Sequence, residues 1–276
     1  GLTTNKYVSG EGLTLGALVT VADLAEDKMI AEKYPVLSEA ANEVASPQLR
    51  NMGTVGGNLC QRPRCWYYRS AEFPCLRKGG DLCYAFDGEN KYHCIVGGGP
   101  CYIVHPSDLA VALLALNAEI TILNVGDTRN LPLGEFFVLP EENYLVENIL
   151  QPGDIVTQIR IPDLPKGTRS GYVKMKERDV WDFAIVSVAV VLPPDNARGD
   201  GSTVLTEKRA AFGGVAPVPW MIDEFNKQLN STRLNAGGIE QITSSLFADA
   251  MTLGANRYKV PLARNLTRQL LNRLRA

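Results

Sequence analysis

The chain has 276 residues, of which 45% are hydrophobic and 21% are charged; this is the composition of a globular protein with a buried core, and it excludes disorder as the main state. The formal net charge of −2 argues against a nucleic-acid partner. No apolar run reaches the roughly 18 residues that a membrane span requires, and the two histidines, His93 and His105, are few for a His-based zinc hydrolase.

The N-terminal part predicts two helices. Thr20 and Asp23 have the spacing of a capping box that opens the first helix. Pro35 suits the first turn of the second helix, which Pro47 ends, and its apolar face consists of Leu37, Ala40, Ala41 and Val44. No basic stretch is followed by an apolar core, so we expect no signal peptide here, and the opening Gly1 suggests a cut from a longer chain.

The cysteines form a cluster in the sequence. All six lie between Cys60 and Cys101, and the rest of the chain has none. Such clustering indicates a metal or iron–sulfur site, or a disulfide-stapled loop. Only Cys60 and Cys65 come near the short spacing typical of zinc sites, whereas wide, uneven spacings favour an iron–sulfur cluster. Nearby basic side chains would offset the negative charge of such a cluster, namely Arg62, Arg64, Arg69, Arg77 and Lys78.

The second half predicts strands followed by helices, which is typical of an α+β fold. Ser107 can cap a helix, and the alternation of apolar residues predicts strands at 119–123 and 155–161. A Pro- and Gly-rich stretch at 162–171 suggests a boundary between domains 1–165 and 166–276. Beyond it we expect strands at 172–176, 185–192 and 204–212, then helices near 219–229, 236–252 and 261–275.

The glycine pair at Gly56 and Gly57 is followed by Asn58 and preceded by Thr54 and Val55. Backbone without side chains can approach a phosphate closely, and the flanking hydroxyl and amide add donors. Taken alone, the pair is a weak signal, and a plain tight turn is its more common explanation. The segment is neither the dinucleotide-binding G-x-G-x-x-G motif nor a P-loop.

Four stretches together resemble the FAD-binding subunit of molybdenum hydroxylases, the xanthine dehydrogenase and aldehyde oxidoreductase family. They are 12–18 (GLTLGAL), 46–59 (SPQLRNMGTVGGNL), 105–113 (HPSDLAVAL) and 209–219 (RAAFGGVAPVP). The resemblance covers nearly the whole chain. It implies part of a PCMH-type FAD-binding domain, followed by a CO dehydrogenase flavoprotein-type C-terminal domain with a three-stranded antiparallel sheet and a helical bundle. In the family a further subdomain with its own Gly-rich segment comes first, and this sequence is expected to lack it.

The resemblance implies an electron-transfer subunit. A molybdopterin-binding large subunit would oxidise an aldehyde or an N-heterocycle such as xanthine, and a [2Fe-2S] small subunit would pass the electrons to FAD here and on to an external acceptor. The loop from Thr54 would hold the pyrophosphate and ribityl region of FAD. Asp108 would accept a hydrogen bond from a ribityl or ribose hydroxyl, and Lys174 would lie near the isoalloxazine. The implied FAD-binding residues are Val44, Ala45, Thr54, Val55, Gly56, Gly57, Asn58, Asp108 and Lys174.

The segment 60–101 is expected to be an insertion that binds a [4Fe-4S] cluster. Residues 61–69, 88–93 and 101–106 resemble a subgroup similar to the periplasmic aldehyde oxidoreductase flavin subunit, which carries such a cluster at this place in the chain. The resemblance assigns its ligands as Cys65, Cys75, Cys83 and Cys101. Cys60 and Cys94 are expected to be packed side chains that do not bind iron.

Other interpretations remain open from the sequence. The cluster-bearing flavin subunits of the benzoyl-CoA reductase type are related, a zinc-stabilised scaffold without redox function is the main alternative, and an extracellular disulfide-stapled binding module is a third. We expect the protein to be cytoplasmic, or periplasmic if it is exported folded with a partner that carries the signal.

Overall fold

The computed structural model describes residues 1–179, 181–198 and 203–275. It has two antiparallel sheets with helices packed against each. The strands are β1 (Asn5–Val8), β2 (Gly12–Gly16), β3 (Glu119–Asn124), β4 (Asp127–Pro132), β5 (Ile155–Ile161), β6 (Arg169–Met175), β7 (Val186–Leu192) and β8 (Arg209–Gly213). The helices are α1 (Val21–Glu26), α2 (Lys28–Lys33), α3 (Pro35–Asn42), α4 (Pro47–Met52), α5 (Val55–Leu59), α6 (Trp66–Arg69), α7 (Asp108–Ala115), α8 (Pro140–Asn143), α9 (Asp223–Ser231), α10 (Ala236–Ser244) and α11 (Lys259–Arg275).

The first sheet has five strands in the order β1-β2-β5-β3-β4. Its inner face packs against the short N-terminal helices and α7, whose eight residues are all buried. Such complete burial explains why α7, after its first residue Asp108, is apolar on every side rather than amphipathic. The core formed here includes Leu13, Leu15, Leu109 and Ile159, none of which is exposed to solvent.

The second sheet has three strands in the order β6-β7-β8 and packs against α9, α10 and α11. The central strand β7 is buried along its whole length, as expected for a strand covered on both faces. Along α11, Leu266, Leu270 and Leu274 are buried at four-residue spacing. The α+β class and the three-stranded antiparallel sheet with helices are thereby confirmed.

Several local predictions are confirmed by the hydrogen bonds. The capping box at α1 forms, because the Thr20 hydroxyl accepts from the Asp23 amide and the Asp23 carboxylate accepts from the Thr20 amide. Ser107 caps α7 by accepting from the Ala110 amide. Pro35 begins α3 as expected.

Other boundaries differ from prediction. Pro47 begins α4 instead of merely ending the preceding helix, since proline is well tolerated in a first turn. The strand expected from Val204 begins only at Arg209, because Val204 makes an isolated bridge to Asp163 instead. The helix expected over 236–252 ends at Ser244.

The cysteine-containing segment is mostly irregular, with the short helix α6 near its start. Hydrogen bonds from the turn before α11 hold it in place: the Ala255 amide donates to Asn90 Oδ1, and the Asn256 amide group donates to the carbonyls of His93 and Cys94. The C-terminal half therefore positions this segment. Across the described residues, no helix combines the length and apolar character needed to cross a membrane.

Candidate functional site

A cleft of about 710 Å³ opens beside α5 and adjoins a smaller cavity of about 150 Å³ that extends toward the cysteine segment. The two spaces share a wall that includes Arg64, Asp108 and Phe183. Six of the nine side chains or backbone positions predicted to bind FAD line the larger cleft: Val44, Ala45, Thr54, Gly57, Asn58 and Asp108. The fold therefore brings together in space residues that are far apart in the sequence.

The glycine pair opens the short helix α5. The Thr54 hydroxyl accepts from the Gly57 amide at 3.1 Å and so caps the helix. At Gly57 an added Cβ would meet only this hydroxyl, at 3.1 Å, and would otherwise occupy the cleft. Because no side chain covers the backbone here, a large ligand such as a flavin nucleotide can pack closely against it.

The other two residues of the segment face inward. Val55 is fully buried in the first core, and a Cβ at Gly56 would lie 3.0 Å from the Ala17 side chain. Their amides donate to the carbonyls of Val19 and Ala17. Val55 and Gly56 thus position the start of α5, and direct contact of either with FAD stays a prediction.

The chain after α3 forms the opposite wall of the cleft. Ala45 has φ of +45°, a left-handed conformation uncommon for a residue with a side chain. Its carbonyl accepts from the Trp181 amide at 3.2 Å, and the Arg50 guanidinium donates to the Val44 carbonyl at 2.9 Å. These bonds hold the turn in place, with Val44 and Ala45 facing the cleft.

Asp108 lies at the junction of the two spaces and is almost completely buried. One carboxylate oxygen accepts from the Tyr172 hydroxyl at 2.6 Å, and the other accepts from the Lys174 ammonium at 2.8 Å. Burial raises the pKa of Asp108, and the positive charge of Lys174 opposes that rise. A carboxylate has about four lone-pair sites, so Asp108 can still accept from a ligand hydroxyl.

Lys174 does not line the cleft; it contacts Asp108, which does. Its side chain is 1% exposed, and its ammonium also donates to the Glu43 carbonyl at 2.9 Å. The expected place near the isoalloxazine stays a prediction. The observed contacts show that Lys174 neutralises and orients a buried carboxylate on the wall of the cleft.

We expect Lys174→Met to destabilise the fold by about 3–5 kcal/mol at pH 7, because it leaves the buried Asp108 carboxylate without its counter-charge. The folded-state pKa of Asp108 already lies above its unfolded value, and this variant raises it further. The loss of stability therefore has its full size above the pKa that Asp108 has in the folded variant, and it shrinks as the pH falls through that pKa. Urea unfolding at several pH values measures both effects.

The matched control is the double variant Lys174→Met with Asp108→Asn, which removes both charges. It should recover most of the lost stability, since a neutral amide is far cheaper to bury than an unpaired carboxylate. A double variant as unstable as Lys174→Met would show that packing of the lysine chain, and not charge pairing, determines the effect.

The cysteine segment brings four of its six thiols to one enclosed space. This space, here called the cysteine cavity, is lined by Cys65, Cys75, Cys83 and Cys101, which are the four residues predicted as cluster ligands. All six cysteines are free thiols.

One of the four thiols, Cys83, differs from the others in its pKa. Cys83 and Cys101 hydrogen-bond to each other, and that bond lowers the pKa of Cys83, with backbone amide donors adding to the effect. Burial raises the pKa of Cys60 to about 11 and that of Cys94 to about 12. Burial also raises the pKa of Cys65, and the bond to Cys83 raises that of Cys101. Because the thiolate is the metal ligand, the lowered pKa prepares Cys83 alone for coordination.

Arg77 is the one predicted charge-offsetting residue that lines the cysteine cavity. Its guanidinium is buried and pairs with Glu147. The hydrogen bond to Cys83 and burial raise the pKa of Cys101, and the positive charge of Arg77 opposes that rise. Arg62 pairs with the same carboxylate from the surface. A buried cation beside four thiols suits a donor set that becomes negatively charged when it is deprotonated.

The donor set is therefore the kind that iron–sulfur clusters use. Among the described residues, no group of three or more potential ligands lies close enough to hold a single metal ion. A cubane cluster binds its four thiolates through four separate irons, so it needs thiols that surround a common space and not thiols that converge on one point.

The sequence did not predict the places of two residues of this region, His93 and Arg64. His93 Nε2 lies 3.3 Å from Cys65 Sγ, and both residues line the cysteine cavity and the smaller cavity of the cleft. Arg64 lies on the wall common to both parts of the cleft, with its guanidinium over the Phe183 ring at 5.1 Å. The sequence neighbours of His93 gave no signal, because its partner is 28 positions away.

Comparisons with known proteins agree with this geometry. Two family descriptions match the chain: an FAD binding domain in molybdopterin dehydrogenase over residues 4–164, and a CO dehydrogenase flavoprotein C-terminal domain over residues 171–274. Together they account for nearly the whole chain.

Curated relatives are found over the same range. The chain is 36% identical to the aldehyde oxidoreductase FAD-binding subunit PaoB of Escherichia coli K12, over 100% of this chain and 82% of that protein. It is 29% identical to the 6-hydroxypseudooxynicotine dehydrogenase complex subunit alpha of Paenarthrobacter nicotinovorans, over 68% of this chain and 47% of that protein. Among solved structures, reconstituted CO dehydrogenase from Oligotropha carboxidovorans matches with a TM-score of 0.70 and 21% identity, over 99% of this chain and 78% of that chain. This last similarity shows the fold alone.

Proposed function

The chain belongs to the FAD-binding subunits of the molybdenum hydroxylase family, and from this premise we propose that it transfers electrons through both FAD and a [4Fe-4S] cluster. One observation carries the proposal. Cys65 and His93 line both the cysteine cavity and the smaller cavity, and the smaller cavity shares a wall with the larger cleft, so the two proposed cofactor sites are neighbours. The adjacency of these spaces supports electron exchange between the two groups.

The chain's own residues would hold and tune these groups. When bound, FAD takes two electrons and the cluster exchanges them one at a time. Gly57, Thr54 and Asn58 would hold the pyrophosphate and ribityl region, while Val44 and Ala45 would lie against the flavin or the ribityl chain. Asp108 would accept from a hydroxyl, and the Lys174 charge behind it would stabilise negative charge that develops in the cleft.

The cluster would be held by Cys65, Cys75, Cys83 and Cys101. Their common cavity and the depressed pKa of Cys83 support this assignment over one that uses Cys60 or Cys94. The insertion 60–101 would therefore form part of a domain 1–165, followed by a domain 166–276 that fixes it in place.

The substrate and partners are inferred from the relative that is an aldehyde oxidoreductase subunit. We assign the oxidation of aldehydes to a molybdopterin-binding large subunit, and the delivery of electrons to a [2Fe-2S] small subunit. This chain would receive those electrons and pass them to an external acceptor.

Purification from the native source, with metal and flavin analysis, tests the proposal. We expect two partner subunits, molybdenum, FAD, and iron with acid-labile sulfide in excess of what the small subunit holds. A colourless protein with zinc would instead support a non-redox scaffold, because zinc thiolates do not absorb visible light. A protein that oxidises aldehydes without partners would contradict the assignment of roles.

A further inference from the structure

We propose that His93 is a positioning residue of the cysteine site: its Nε2–H donates a hydrogen bond to the Cys65 thiolate and raises the reduction potential of the cluster bound there. The inference rests on the proposed function, because it requires a cluster on the four cysteines. It goes further by naming a side chain that raises the reduction potential of the cluster.

The geometry is specific. His93 Nε2 and Cys65 Sγ are 3.3 Å apart, within the range for a hydrogen bond to sulfur, and His93 is 4% exposed. Backbone amides of Tyr67 and Tyr68 also donate to the Cys65 sulfur. His93 is thus the side-chain member of a set of donors around this sulfur, and it lies on the side toward the cleft.

The direction of the hydrogen bond follows from proton counting. A cysteine that binds iron is a thiolate and has no proton to donate. A neutral imidazole carries one proton, on either nitrogen. The contact can therefore be a hydrogen bond in the cluster-bound protein only when that proton is on Nε2.

The imidazole is held rigidly. Its ring packs edge-on against Trp66, with centroids 5.7 Å apart, and tilted against Tyr67 at 6.2 Å. Its backbone carbonyl accepts from the Asn256 side chain at 3.2 Å. Because ring and backbone are both fixed, the donor is in place before any electron arrives, and it costs no reorganisation.

The effect on the potential has a definite sign. One-electron reduction adds one negative charge, shared between the cluster and its thiolates; no bond forms or breaks, and His93 keeps its proton. A hydrogen bond to sulfur strengthens as the sulfur becomes more negative. It therefore stabilises the reduced form more than the oxidised form, and its removal lowers the reduction potential.

The test replaces His93 in the full-length subunit and measures iron content and midpoint potential, by redox titration with dithionite followed by paramagnetic resonance. His93→Phe keeps the aromatic packing and removes the donor. We expect it to retain iron while its reduction equilibrium becomes about tenfold less favourable, equal to about 59 mV for one electron. His93→Gln, whose amide nitrogen reaches the position of Nε2, should restore most of the potential.

Tyr92→Phe is the matched control. Tyr92 packs on the same Trp66 ring at 5.6 Å, and its hydroxyl bonds to Glu177 and not to a cysteine. Removing this hydroxyl should leave the potential unchanged. If Tyr92→Phe shifts the potential as much as His93→Phe, general packing and not the sulfur bond is responsible, and the inference is overturned.

Two outcomes separate this inference from the function on which it rests. If the wild-type protein contains no iron and sulfide, the proposed cluster itself is overturned. If the cluster is present and its potential is the same in His93→Phe as in the wild type, only the role of His93 is overturned. Should His93→Phe fail to assemble, His93→Gln is compared with His93→Asn, whose shorter side chain does not reach the sulfur. Equal potentials in that pair would also overturn the inference.

Discussion

Gly57→Val should abolish FAD retention in the full-length subunit while the protein remains folded. The residue lines the cleft, and a side chain there would meet only the Thr54 hydroxyl at 3.1 Å before it enters the space assigned to the ligand. The backbone of Gly57 does not adopt a positive φ, so valine adds volume without forcing a strained conformation. The expected loss therefore comes from obstruction of the close backbone approach and not from unfolding.

Flavin content per mole of folded protein, measured by absorbance after gel filtration, gives the readout. Gly237→Val is the matched control, because Gly237 also lies in the first turn of a helix but is exposed and far from the cleft, where an added Cβ meets only Asn235 Oδ1 at 3.6 Å. This control should keep its flavin. Full flavin occupancy in a well-folded Gly57→Val protein would show that α5 does not hold the cofactor.

Local rules explain which parts of the fold could be predicted. Capping by Thr20 and Ser107 depends on residues three positions apart, and the alternation in β3 and β5 depends on residues two apart. Such short-range patterns can be recognised from neighbouring residues in the sequence. The predicted strand from Val204 failed for the opposite reason, since its pairing partner, Asp163, lies in another part of the chain.

The site shows the same limit more clearly. The residues that line the cleft were assigned through resemblance, but the pairing of Lys174 with Asp108 spans 66 positions and the contact of His93 with Cys65 spans 28. No periodicity links such pairs. Their chemistry follows only from the packing of α7 on the second sheet, whose strand β6 carries Lys174, and from the bonds that fix the cysteine segment to the turn before α11.

Serine substitution of each cysteine should divide the six into two groups. Replacement of Cys65, Cys75, Cys83 or Cys101 should remove the iron and the brown absorbance, because an alcohol is a poor substitute for a thiolate and an iron left without its thiolate ligand is readily lost. The physical reason for expecting these four is their common cavity, together with the charge of Arg77 beside it.

Cys60→Ser and Cys94→Ser are the internal controls, since they make the same chemical change outside the cavity. Cys60 packs against the first core, and Cys94 is 1% exposed, so each thiol acts as a small hydrophobic group whose burial raises its pKa. A buried hydroxyl at either place costs about 1–3 kcal/mol of stability, which thermal unfolding would detect, but it should leave the iron content unchanged. Iron lost from Cys60→Ser or Cys94→Ser, together with iron retained after one of the other four substitutions, would show that a different set of thiolates holds the cluster.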